Sequence, residues 1–521
     1  MEVVNNFNAG LISENDKLAA RVKMDSSSGQ AQIDFIESAI SEWLQGSTYQ
    51  MISDGERYYE NENDILERER KVIGRNGEMV KADYLANNKL SHSFMRKLTK
   101  QKVGYLLSKP FTVTSDNEEF QKAFGNYLTR AFYRLIKNTA RDAVVGGIGW
   151  AQPYFDEEGE LRFKRIPARE VIPFWKDIDH TILDAAIRVY EVEVYEGDEK
   201  DTIQYVKFYT KDKVFNYVRD DDGLHADDEH PFESNFTLES EGEPEMGEDG
   251  EMRPTRVVNE MMWNRIPLIP IKYNPEEDSL LKYIRHLIDD YDRRTSDLSN
   301  VIEDEPDRIK VVKDYDGTDK GEFVYNLSRY RTLFLRGSGE VSTLDTSIST
   351  DALENHLNRT RRDIFEFGGG VDTQNKDLGN ASGVALKFVY SDLDMDCNDF
   401  GAEIAWSLEQ FAWFIKQDLL LKTGQDFKDA SIEVAFNTDI TINETETISN
   451  LKNSVGMISN KTILEQHPYV TDASEEEEQL KKEQQELFER TEEEMKLQVE
   501  MTAATAAAKS SAAGTTEPTE E

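Results

Sequence analysis

DALENHLNRTRRDIFEFGGGVDTQNKDLGNASGVALKFVYSDLDMDCNDFGAEIAWSLEQFAWFIKQDLLLKTG (Asp351–Gly424) decides the fold. Its first part reads as a helix over Asp351–Phe367, with Leu353, Leu357, Ile364 and Phe367 on one face. Asp351 followed by Glu354 resembles a capping box. GGGVDTQNKDLGNAS (Gly368–Ser382) has no apolar periodicity and is rich in turn residues. A second helix follows, ending near Gly424, with Leu386, Val389, Leu393, Cys397, Phe400, Ile404, Leu408, Phe411, Ile415 and Leu419 in phase. Unbroken steps of three and four are the period of one buried helical face. At 1.5 Å per residue such a helix is roughly 55 Å long, the length of a scaffold.

The whole chain has 521 residues, which calls for several domains. Hydrophobic residues make up 38% and charged ones 31%, enough apolar content for packed cores. The formal net charge of −41 argues against tight binding of nucleic acid through a basic patch. It is compatible with a wall past which nucleic acid slides. The single cysteine, Cys397, excludes an intrachain disulfide and falls on the apolar helical face, as a core thiol does. A reducing compartment is expected. No secretory h-region and no uncharged apolar run of membrane-spanning length is visible, so no membrane partner is expected.

Working outward, residues 1–30 are polar and aperiodic, an arm. Residues 31–278 form an α+β region. Helical phases run through Ile33, Ile36, Ile40 and Trp43, then Met51, Tyr58 and Ile65, then Leu90–Leu107, then Glu118–Val145. From Trp150 the period changes to two, and strands are expected over Trp150–Phe155, Leu161–Ile166, Ile187–Tyr195, Ile203–Tyr209 and Lys213–Val218. Arg219–Arg253 is acidic with almost no apolar periodicity and reads as a mobile surface loop (219–253). A helix over 279–306 carries Leu280, Ile284, Leu287, Tyr291, Leu298 and Ile302 and ends at Pro306. Strand-like IKVV, EFVY and TLFL mark a small α/β insert at 307–349, ahead of the helix at 350–367. Two helices around an insert make a stalk with a knob. Loop 368–382 and long helix 383–424 follow. Then SIEVAF (Ser431–Phe436) and further helices occupy 425–500, and a low-complexity tail, 501–521, reads as disordered.

Chemistry is sparse. There is no P-loop, no H-E-x-x-H, and GGIGW (Gly146–Trp150) precedes a strand instead of following one. Asp392, Asp394, Asp396 and Glu403 mimic a calcium loop, but Cys397 replaces the required glycine and the stretch reads as helix. No catalytic residue, cofactor or metal is assigned, and an enzyme is not expected. Two features stand out. Charges on the stalk helices, Asp289, Asp290, Asp292, Arg293 and Arg294 on one and Arg359, Arg361 and Arg362 on the other, are either solvated faces or contacts between subunits. The glycine-rich loop, with Lys376 as its only cation, is either a connector or a surface that touches a passing polyanion.

NNKLSHSFMRKLTKQKVGYLLSKPFTV (Asn87–Val113), GWAQPYFDEEGELRFKRIPAREVIPFW (Gly149–Trp175) and LENHLNRTRRDIFEFGGGVD with GNASGVALKFVYSDLD (Leu353–Asp394) occur in this order. This co-linear set resembles the portal proteins of tailed bacteriophages, specifically the siphophage portal family. The resemblance implies a mostly helical α+β portal fold with a wing, a helical stem, a small α/β clip, a long wing helix and a helical crown. It further implies a ring of twelve copies at one capsid vertex, through which double-stranded DNA is packaged and ejected. The stem would pack between copies through Leu280, Ile284, Leu287 and Tyr291, with Leu353, Leu357, Arg359, Arg361, Arg362 and Ile364 opposite. Gly368–Ser382 would be the tunnel loop facing DNA, through Gly368, Gly369, Gly370, Asp372, Gln374, Asn375, Lys376 and Asn380. The clip cations Arg329, Arg331 and Arg336 would meet the motor or adaptor. Implied partners are the terminase large subunit, a scaffolding protein, the major capsid protein and a head-completion adaptor. The implied location is the virion, after assembly in the host cytoplasm. The competing expectation is an acidic capsid-assembly or scaffolding protein without a DNA channel, which has no use for a glycine loop between two helices.

Overall fold

The structure is a computed structural model that describes residues 29–73, 78–82, 85–196, 199–211, 213–220, 223–234, 236–241, 245–246, 252–253, 256–303, 309–313, 340–344, 350–374, 383–437, 444–467, 469–470 and 473–512. By contact these fall into two units, within Met1–Gln374 plus Tyr390–Thr438 and within Asn375–Val389 plus Asp439–Glu521.

The first unit mixes helix and sheet, as its alternating periodicities require. Helices α1 (Gly29–Gln45), α2 (Ser47–Tyr59), α3 (Phe94–Leu107), α4 (Glu118–Gly125) and α5 (Arg130–Gly146) precede most of its strands. Two short pairs lie among them: β1 (Lys71–Ile73) with β2 (Met79–Lys81), and β3 (Thr112–Ser115), whose partner arrives much later. One sheet has the order β16-β4-β5, from Ile269–Lys272, Ile148–Phe155 and Leu161–Ile166. A larger one runs β10-β9-β8-β7-β6, from Gly223–Ala226, Val214–Asp220, Glu199–Tyr209, Leu183–Glu196 and Val171–Trp175, with β11 (Phe232–Glu233) on β9. Buried Trp150 and Trp175 stack between the two sheets with centroids 5.9 Å apart. α1 lays Ile36 and Ile40 against Ile187, Val206 and Phe208 of the larger sheet.

The quoted stretch forms helix α7 (Thr350–Phe367) and helix α8 (Gly383–Thr423), which follow α6 (Leu280–Glu303). Within the first unit, Leu393, Cys397, Phe400, Ile404, Leu408, Phe411, Ile415 and Leu419 of α8 are all buried, as the period demands. Phe411 meets Phe132 of α5 and Phe163 of β5 edge-on, at 5.4 and 4.9 Å. β12 (Phe236–Glu241) pairs with β15 (Arg256–Met261), and β13 (Glu245–Met246) with β14 (Met252–Arg253). Between α6 and α7, β17 (Ile309–Lys313) pairs with β18 (Glu340–Leu344). The second unit contains α9 (Glu444–Asn453), α10 (Asn460–Glu465) and α11 (Ala473–Ala512).

Several expectations are corrected. The single helix over Glu118–Val145 is two, because Thr129 accepts the Phe132 amide and starts a new N-terminus. The acidic stretch 219–253 is not simply a loop, since β10 to β14 lie within it. Ile432–Ala435 (β19) pairs with β3, so residues 425–437 belong with the first unit and not with the later helices. Helix α11 runs on to Ala512, through a tail expected to be disordered; its alanine run is the strongest helix-forming composition there is.

The helix expected over Leu90–Leu107 begins only at Phe94. Residues 88–92 are extended and lie along α6. The amides of Asn88, Leu90 and His92 donate to Asn300 Oδ1, Ser296 Oγ and Asp292 Oδ1 at 2.6, 2.9 and 3.1 Å. Two extended residues advance roughly 6.6 Å and four helical residues about 6.0 Å, so alternate amides meet every fourth side chain. Asp292, Ser296 and Asn300 are buried, and Asp292 also takes Asn63 Nδ2 and His92 Nδ1, each at 2.6 Å. Replacing Asp292 by Ala should lower stability by at least about 2 kcal/mol, because it orphans buried donors, whereas Asp292→Asn keeps an acceptor and should cost less. Urea unfolding of the two variants checks this; equal midpoints would remove the ladder from the fold's supports.

Candidate functional site

The site is built where the glycine-rich segment leaves α7. Gly370 N–H donates to Phe365 O and Gly369 N–H to Glu366 O, at 2.8 and 3.2 Å, with Gly369 at φ +54°. This is the paired closure of a helix whose next residue turns left-handed. The flanking glycines answer a different constraint. A Cβ on Gly370 would lie 2.2 Å from Leu98 Cδ2, and one on Gly368 2.6 Å from Ile364 O. The three glycines therefore permit close packing on α3.

From there to Gln374 the chain is held at each step. Gln101 of α3 receives Val371 N–H and donates to Val371 O, at 3.1 and 2.7 Å, as a neighbouring strand would. Arg361 grips Asp372 with two bonds of 2.7 and 2.8 Å. That guanidinium holds the Asp372 carboxyl below the usual carboxylate range, against the opposing effect of burial. Lys97 reaches Thr373 Oγ1 at 3.4 Å and lies over the Phe365 ring.

Beneath the glycines sits a buried lysine. Lys102 is fully buried, and its Nζ donates to Gly369 O at 3.0 Å and to Asp396 of α8 at 2.6 Å. Tyr273 donates to the same carboxylate at 2.9 Å; burial and then the Asp396 charge push its own pKa well above the ordinary phenol value. One turn along, Tyr105 donates to Asp394 at 2.6 Å. The next residue, Cys397, has its thiol pushed up to about 12 by burial, which makes it a core group. Two of the carboxylates that mimic a calcium loop are thus hydrogen-bond acceptors between helices.

The residues assigned from sequence separate. Gly368, Gly369, Gly370 and Asp372 belong to this anchor, and Gln374 is exposed at its end. Asn375, Lys376 and Asn380, and the clip residues Arg329, Arg331 and Arg336, lie outside the described residues. Leu280, Ile284 and Ile364 are buried within the chain itself and have no surface left for another copy. Tyr291 packs on His92 and Phe94, with centroids 4.8 and 5.1 Å away. Leu287, Leu353 and Leu357 are half-buried, and Arg359 and Arg362 are exposed. Among the stalk charges, Asp290 joins Arg293 at 2.6 Å and His356 of α7 at 2.7 Å, so part of this pattern ties the two helices of one chain. Lys97, Gln101, Lys102 and Tyr105 were not anticipated. The available signal was Lys102 itself, a charge in phase with Leu98 and Leu106 on the apolar face of α3.

Lys102 and Tyr105 lie in the KVGYLLSKP phrase, and Gly369 and Asp394 in the block that starts at Leu353. Two of the co-linear motifs are therefore in contact. A family model described as phage portal protein, SPP1 Gp6-like, matches residues 46–489. The chain belongs to that family. The portal protein of Bacillus phage SPP1 is 30% identical over 452 residues, 86% of this chain and 84% of the relative. That of Clostridium phage phiCD119 is 28% identical over 442 residues, 82% of this chain and 91% of the relative. A solved chain from the neck of a native GTA particle, computed with C12 symmetry, matches 71% of this chain and 88% of its own length. Its TM-score of 0.38 and 11% identity are too low to carry an argument. Among the described residues no helix is long and apolar enough to cross a membrane.

Lys102→Met should destabilise the portal chain by roughly 3–5 kcal/mol, since it leaves the Asp396 carboxylate without its cation. Adding Asp396→Asn should restore part of that loss, and thermal unfolding of single and double variants measures the difference. A second prediction concerns pH. A carboxyl whose folded pKa is depressed contributes stability that is complete above its unfolded pKa and lost as pH falls through the folded one. The Arg361–Asp372 clamp thus acts in full at neutral pH, starts to weaken below about pH 4 and is lost as pH falls through the lowered pKa of Asp372. Asp372→Asn should speed proteolysis next to Gln374 at pH 7, with the gap from wild type closing in acid; a gap independent of pH would contradict the clamp.

Proposed function

We propose that this protein forms a ring, expected to hold twelve copies, at one vertex of a phage capsid, and that double-stranded DNA enters and leaves through the ring's centre. The family match over residues 46–489 carries this proposal. In this arrangement residues 31–278 with 390–437 make the wing, α6 and α7 the stem, 307–349 the clip, and the helices after 438 the crown. Long helix α8 spans the wing and contributes to its core. The role is structural and conducting, not catalytic. Partners of the stated kinds follow: the terminase large subunit and a head-completion adaptor at the clip, with the scaffolding and major capsid proteins around the wing. The site of action is the virion vertex, reached by assembly in the host cytoplasm.

The anchor refines the tunnel loop. With residues 368–374 pinned to α3, the DNA-facing part narrows to 375–382, and Asn375, Lys376 and Asn380 become its contacts. One cation there suits sliding better than holding. At the stem, the half-buried Leu287 remains the best placed of the expected α6 residues to meet another copy.

Negative-stain microscopy of the purified protein tests the ring: particles with a central hole are expected, and a monomer at high concentration would end the proposal. Deleting 375–380 should leave rings intact, because the anchor through Gln374 is untouched, yet impair packaging of DNA into capsids. Normal packaging by that variant would remove the loop from the DNA path.

A further inference from the structure

Helices α3 and α5 are an electrostatic exception in a chain of net charge −41. Helix α3 carries Arg96, Lys97, Lys100 and Lys102 and no acidic residue. Helix α5 carries Arg130, Arg134, Lys137 and Arg141 against one acid, Asp142. The two pack together in opposite directions. Arg96 and Arg141 lie over the same Tyr59 ring, at 5.5 and 5.8 Å, while Tyr133 donates to Phe111 O beyond the other end of α3.

Their apolar faces are buried, with Leu98, Val103 and Leu106 on one and Phe132, Ile136 and Ala140 on the other, so only the cationic sides reach solvent. Arg96, Lys100, Arg134 and Lys137 are exposed. Arg141 is engaged by Asp142 at 2.9 Å and Arg96 approaches Glu60 at 4.0 Å. Lys100, Arg134 and Lys137 make no ion pair with any described residue. Cations held side by side on rigid helices repel one another, and none of the described acids neutralises these three.

The position of this face is also informative. Lys97 touches Thr373, and Gln101 holds Val371, so the cationic edge of α3 adjoins the root of the glycine-rich segment. We propose that the face shared by α3 and α5, centred on Lys97, Lys100, Arg134 and Lys137, binds the phosphate backbone of duplex DNA beside that root. This inference rests on the DNA-channel reading and adds to it a source of phosphate contacts outside the loop. Such contacts are independent of base sequence and sensitive to salt, since each neutralised phosphate releases condensed counterion.

The test uses assembled rings of the full chain and a fluorescent linear DNA duplex, with affinity measured across a salt series. The triple variant Lys100→Gln/Arg134→Gln/Lys137→Gln is compared with wild type. A control with equal charge change, Lys200→Gln/Lys207→Gln/Lys211→Gln, alters β8 of the larger sheet and the turn that follows it. The site variant should bind about tenfold or more weakly at low salt, and its slope of log affinity against log salt should be shallower by at least about 1. The control should bind as wild type does. An unchanged slope in intact variant rings overturns this proposal and leaves the channel reading standing. An equal loss in the control overturns it in favour of a net-charge effect. Rings that fall apart only in the site variant overturn it in favour of a contact with the acidic surface of a second copy. Wild-type rings that hold no DNA at any salt also overturn this proposal, whereas the channel reading is decided separately by the packaging of DNA into capsids.

Discussion

The first unit depends on the burial of the Lys102 ammonium. Lys102 is surrounded by Gly369 O, the Asp396 carboxylate and the Tyr273 ring, and each belongs to a different part of the chain. An ammonium group removed from water is costly unless every donor is satisfied in place. That requirement fixes three things at once: the end of α7, the register of α8, and the strand end that carries Tyr273. Apolar packing alone would allow α8 to slide by a turn with little loss. A charge with one acceptable set of partners does not.

A second set of polar contacts works the same way along α6. Alternate backbone amides of residues 88–92 meet Asp292, Ser296 and Asn300, so an extended segment reads a helix side by side without any sheet. Both devices put polar groups where the core would tolerate only apolar ones, and both specify position more than they add stability. They explain why α6, which looks amphipathic, buries a stripe that changes from Leu280, Ile284 and Ile288 to polar residues.

Much of the fold was legible because α8, α7 and the strands from Ile148 to Asp220 obey simple periods. The family was legible because three phrases occur in order along the chain. What escaped depended on contacts distant in sequence. Nothing local says that residues 90–92 stay extended, since Leu90 continues the helical phase of Phe94 and Leu98; only the acceptors on α6 decide it. The glycines after Phe367 suggested turns by composition, and only the nearness of Leu98 shows that Gly368 and Gly370 are also there for lack of space. Charges on α6 looked like solvated pairs because Tyr58, Asn63 and His92, which accompany Asp289 and Asp292, lie some two hundred positions away. The acidic stretch after Arg219 hid its strands because its charged sequence carries little apolar alternation.

Strand β19 has a consequence for the order of events during synthesis. Thr112–Ser115 is made early, but its partner is Ile432–Ala435, and the side chains that close the core over Phe132 and Phe163 come from α8. Closing so long a stretch of chain must precede any gain from these pairings. A growing chain therefore leaves the ribosome with this unit open, its cavity waiting for a helix not yet translated. Only when residue 435 has emerged can β3 find its partner and the unit close. The topology thus acts as a timer: a chain that stops before residue 435 lacks the strand and helix that complete this unit.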